Sequence, residues 1–176
     1  MPQKETGRTP RHESLAAYLD DHLLGAETGV RLFKAARETW EGTEHESVFA
    51  DLVQQISDER DELETLILAL GYQRSRFKKA LALVGAAGGR LGPINPLSTG
   101  KGTTGQLELE TLQSIVRAKE CLYRTLLVLS PHDHRFHAPR IRELLELARN
   151  QQDAVAKVME DTVPARFLTS PSPPTR

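Results

Sequence analysis

Apolar residues recur along most of this chain in steps of three and four, the spacing that places them on one face of an α-helix. Four long segments carry the pattern. The first, about Glu13 to Glu41, reads Leu15, Leu19, His22, Ala26, Gly29, Phe33, Ala36 and Trp40. Its alternating steps of four and three form a seam suited to helices packed at about 20°. Ser14 or Thr9 is the expected cap, and Gly42 and Thr43 end the pattern. The second, about Glu46 to Leu70, carries Phe49, Leu52, Val53, Ile56, Leu63, Leu66, Ile67 and Leu70, with Gly71 as its C-terminal stop.

The third segment, about Thr104 to Leu129, turns Leu109, Leu112, Ile115, Val116, Leu122, Tyr123, Leu126 and Leu129 inward. The fourth, about Pro139 to Thr162, has Ile141, Leu144, Leu145, Ala148, Val155, Val158 and Met159. Pro139 suits a first turn because its missing amide proton has no intrahelical partner there. No segment alternates as a strand does, and no internal repeat is visible. Helices of about 25 residues reach roughly 38 Å at 1.5 Å per residue. Residues 71–107 are too long for a hairpin, and are expected to hold one short helix, about Ser75 to Ala87, before a Gly- and Pro-rich stretch. The predicted fold is therefore all-α: an up-down-up-down four-helix bundle with a long crossover containing one short helix. An irregular five-helix domain is the alternative. Residues 1–12 and 169–176 are expected to be disordered, and 13–168 to form the bundle domain.

Composition narrows the function. With 176 residues, 39% hydrophobic and 27% charged, the chain is one domain able to build its own core. Its 23 Lys and Arg nearly balance 24 Asp and Glu, which argues against a nucleic-acid partner. The single cysteine, Cys121, excludes an intramolecular disulfide and any cysteine-built metal cluster. It lies in an apolar stretch and is expected to be packed. No apolar run is long enough for a membrane span. No apolar leader core follows Met1, so a cytoplasmic location is expected. Charge is nonetheless uneven. Between Glu38 and Glu64 stand ten acids and one base, Arg60, whereas 71–107 hold six cations and no acid. That separation predicts self-association, or a protein partner of complementary charge.

Each stripe is interrupted near its middle by polar residues: His22, Glu59 with Glu62, Lys119 with Glu120, and Gln151 or Gln152. Helices of similar length place these at one height. Here the chain resembles the ferritin-like superfamily. The run Ser57-Asp58-Glu59-Arg60-Asp61-Glu62-Leu63 is similar to that family's second-helix motif, in which a glutamate and a histidine three residues later bind iron. The resemblance places Glu59 on the glutamate and Glu62 on the histidine. It places Glu27 and Glu120 on the first- and third-helix glutamates, and Gln152 on the fourth helix. A di-iron site of this kind uses Glu-x-x-His on two helices. None of His12, His22, His45, His132, His134 and His137 follows a carboxylate at that spacing.

Three readings of the layer stand open. The residues flank the stripe and face water. Or Lys119 replaces a metal, neutralising Glu59 or Glu62 with His22 and Gln152 completing the hydrogen bonds, because buried charges must be paired. Or Glu27, Glu59, Glu62, Glu120 and His22 hold iron or manganese, ions suited to oxygen ligands. No cofactor is expected under the first two readings. No nucleophile with an adjacent base is legible, so the chain gives little ground for an enzyme. Pro131 to His137 is expected to be a solvated loop. Gly100-Lys101-Gly102-Thr103-Thr104 lacks the spacing and preceding strand of a phosphate loop. The cations of 74–79 are expected to face water while Phe77, Leu81 and Val84 pack.

Overall fold

The computed structural model describes residues 11–72 and 103–168. The expected termini, short helix and most of the glycine-rich stretch lie outside the described residues. Within them the protein is all-α, with no strand. The helices are α1 (His12–Thr39), α2 (Glu46–Ala69), α3 (Thr103–Leu129) and α4 (Ala138–Phe167), with a single 3₁₀ turn at Ser130–His132. The hydrophobic stripes account for these bounds almost residue by residue. α1 starts one residue inside the segment expected to be disordered. Arg11 is its N-cap, without a side-chain bond, so Ser14 does not cap it. α4 continues past Thr162 to Phe167, with Pro164 in its last turn.

Paired contacts give the helix directions. His12 Nδ1 lies 3.1 Å from the Tyr72 hydroxyl, while Trp40 stacks on Phe49 at 5.5 Å, so α1 and α2 are antiparallel. Tyr18 donates to Thr125 at 3.2 Å, and Gly29 faces Ile115, so α1 and α3 are antiparallel too. Arg166 reaches Gln106, and Gln152 reaches Glu120, which opposes α4 to α3. α2 and α3 therefore run the same way. This corrects the expected up-down-up-down order. Tyr72 and Thr103 consequently lie at opposite ends of the helices.

α1 packs on α2 and α3, and α4 on α3 and less closely on α2. The core between them includes Leu19, Phe33, Phe49, Ile67, Leu109, Leu112, Leu126 and Val155. Such burial stabilises by about 25 cal/mol per Å² of apolar surface removed from water. The loop after α3 is less solvated than its composition suggests. Asp133 and Phe136 are buried, and Arg135 donates to Leu70 O at 3.2 Å, closing the end of α2. His132, His134 and His137 are exposed. Cys121 is exposed rather than packed.

Candidate functional site

The polar layer centres on Glu59. This residue continues the α2 stripe three residues after Ile56 and four before Leu63, so the helix carries its carboxylate inward with them. Its side chain is 3% exposed. Lys119 and Tyr123, one turn apart on α3, grip the same oxygen: Lys119 Nζ is 2.7 Å from Glu59 Oε2, and the Tyr123 hydroxyl donates to it at 3.0 Å. From α4, Gln151 Nε2 donates to Glu59 Oε1 at 2.6 Å and to Gln55 Oε1 at 2.9 Å. Lys119 also donates to Gln151 Oε1. The network thus ties α2, α3 and α4 at one height. Burial pulls the Lys119 ammonium below the ordinary lysine value, and the charge of Glu59 opposes this. Burial, and then the same charge, push the Tyr123 phenol up.

The other expected members of the layer stand elsewhere. Glu62 is partly exposed and accepts two bonds from Arg140, at 3.0 and 2.8 Å. Gln152 donates to Glu120 Oε2 at 2.9 Å. Glu120 forms a second cluster on the α3–α4 face, beneath Arg117, Arg124 and Arg149. The Gln152 amide, followed by the Arg124 and Arg117 guanidinium groups, holds its carboxyl down to about 2. His22 is half-buried, edge-on to Tyr18 at 4.5 Å. Desolvation lowers its pKa against the pull of Asp21. Glu27 is half-buried on α1 and belongs to neither network.

His22, Glu59, Lys119 and Tyr123 share one further feature. They line a cavity of about 430 Å³ bounded by α1, α2 and α3. The middle of α1 opens onto it through Asp21, His22, Leu24, Gly25 and Ala26, of which Leu24 is buried, His22 and Ala26 half-buried, and Asp21 and Gly25 exposed.

The residues present do not fit the carboxylate metal site that the family resemblance implies. Glu59, Glu62 and Glu120 sit in three separate clusters, each already holding cations. Both Glu59 oxygens accept bonds, and an ammonium occupies the position nearest Oε2. Among the described residues, no group of three His, Cys, Asp or Glu side chains is placed to hold a metal ion. Iron or manganese bound by Glu27, Glu59, Glu62, Glu120 and His22 is therefore corrected by geometry: five residues expected at one point are dispersed.

Sequence reasoning missed the part Tyr123 plays and left Gln151 and Gln152 as alternatives. Tyr123 was legible as an apolar stripe member, but its hydroxyl had no visible partner. Gln151 was legible in the stripe, three residues after Ala148 and four before Val155. The family resemblance favoured its neighbour Gln152 instead. Comparison of the chain with protein-family models, curated proteins and solved structures found no match.

Proposed function

We propose that this chain is a non-enzymatic, ferritin-like helical bundle that serves as an interaction or scaffold module, with an ion-pair layer where that superfamily holds metal. A crossover between α2 and α3 belongs to this reading. The observation that carries it is the saturation of Glu59. Three donors from two neighbouring helices occupy its carboxylate, which makes the layer a clamp between helices rather than an open coordination site. A buried charge held this way specifies helix register, because any slip leaves it unpaired.

The surface supports the interaction role. Seven acids, Glu38, Glu41, Glu44, Glu46, Asp51, Asp58 and Asp61, are exposed on the end of α1, the α1–α2 turn and α2. A second copy of the chain offers complementary charge through the six cations of 71–107. Sedimentation velocity at low and high salt tests this. The expected outcome is an oligomer that dissociates as salt rises, since exposed charges are screened beyond about 8–10 Å. An unchanged species at both salts refutes self-association through these charges. Elemental analysis of protein purified without chelator tests the layer. Stoichiometric iron or manganese overturns the ion-pair reading.

A further inference from the structure

The cavity beside the Glu59 network has walls of one character and an end of another. Leu24, Ile56, Leu63, Ile115, Val116 and Leu122 make the walls apolar. Glu59, Lys119 and Tyr123 make one polar end, and Asp21, His22, Thr28 and Arg60 also line the pocket, so its charges of both signs balance. The pocket is a cleft open to solvent on one side, with Asp21, Gly25 and Ala118 exposed among its lining residues. This space is kept open by the sequence of α1 itself. Gly25 lies inside the helix, where glycine is unfavourable, and a Cβ built on it meets nothing within 4 Å. Ala26 follows it. At Gly29 α1 closes on α3, where a Cβ would approach Ile115 Cγ2 to 3.1 Å.

The polar end selects among ligands. Lys119 has three N–H donors, and two of them go to Glu59 and Gln151. Glu59 and Lys119 neutralise each other at 2.7 Å. An anion placed there would face Glu59, and a cation would face Lys119. A neutral acceptor meets neither penalty. Pockets of a few hundred Å³ with apolar walls and a few convergent polar groups are typical small-molecule sites.

We propose that this cavity binds a small, uncharged, largely apolar molecule bearing one hydrogen-bond-accepting group, its body against Gly25 and Ala26 and its acceptor on Lys119. The site is separate from the self-association reading, since none of the seven exposed acids on α1, the α1–α2 turn and α2 lines the pocket. The test uses the full chain and a neutral naphthalene ketone dye, 6-propionyl-2-dimethylaminonaphthalene, whose emission shifts to the blue in apolar surroundings. The wild-type chain should bind it saturably, one per chain, with that blue shift. Gly25→Leu should fill the space and weaken binding at least tenfold, without lowering the thermal midpoint. Ala26→Phe, filling the same space from the next position, should do likewise and serves if Gly25→Leu folds poorly. Absence of saturable binding to the wild type overturns the proposal. So does equal binding by folded filling variants, which would place the dye on the exposed apolar side chains Leu107, Val163, Phe167 and Leu168.

Discussion

The carboxylate of Glu59 is stable inside this protein because of what touches it, and each contact is separately testable. Lys119→Met removes the cation that pairs with Glu59 among the described residues and strands a charge in the layer. Breaking a buried pair from one side typically costs about 3–5 kcal/mol. Adding Glu59→Gln should recover much of that loss, because no unpaired charge remains. Urea denaturation of the single and double variants near neutral pH measures the coupling, and purely additive effects would place Lys119 outside the network. Tyr123→Phe removes one hydrogen bond to a charged acceptor and should cost about 1.5–3 kcal/mol. At this scale the sequence was partly legible. Glu59 and Lys119 were visible as polar interruptions of apolar stripes. Tyr123 was not, because an amphipathic ring satisfies an apolar stripe whether or not its hydroxyl has work to do. Glu62 was misplaced because positions three and four residues along a helix both neighbour the stripe. Only the partner helix decides between them, and Arg140 draws Glu62 outward.

Helices were more legible than their directions. Periodicity marks which face of a segment is buried, and the breaks at Gly42, Gly71 and Ser130-Pro131 mark where it stops. Nothing in a stripe states which way the helix runs. The length of the connection after α2 does bear on it: a connection that long allows its flanking helices to run the same way, as α2 and α3 do. Two glycines at this scale have defined tasks. Gly71 adopts φ +77° after α2, with its amide donating to Leu68 O at 2.9 Å and that of Tyr72 to Ile67 O at 3.2 Å. These two bonds satisfy the last carbonyls of the helix and turn the chain out of it. Gly71→Ala should cost about 1–2 kcal/mol, the penalty of a side chain in the left-handed region. Gly29→Leu should cost about 1–3 kcal/mol by overpacking the contact with Ile115. An unchanged thermal midpoint for Gly29→Leu would show α1 and α3 to be further apart than they are here.

For the whole molecule, the two acidic networks should respond differently to pH and salt. Glu120 falls from 4.5 to about 2 and Asp133 from 3.8 to about 2, the latter chiefly through its bonds to Arg135. Because both are lowered on folding, the unfolded chain takes up protons first as pH falls. Their stabilisation is complete above about 4.5 and is lost progressively down to about 2. The guanidinium groups over Glu120 are about half exposed, so solvent screens the gain and the energy is well below what the shift alone implies. The thermal midpoint should therefore drop through that acid window, and Glu120→Gln should flatten the drop. A variant whose acid profile matches the wild type would show that Glu120 is not held as described. Salt separates the networks further. Added salt screens exposed charges most, so it should shrink the Glu120 contribution at neutral pH. The Glu59–Lys119 pair is far less exposed, at 3% and 15% of its side chains, and the screening reaches it much less. The coupling between Lys119→Met and Glu59→Gln should accordingly persist at high salt, while the effect of Glu120→Gln fades. If both decline together, the Glu59 pair is solvated and the layer is no clamp between helices.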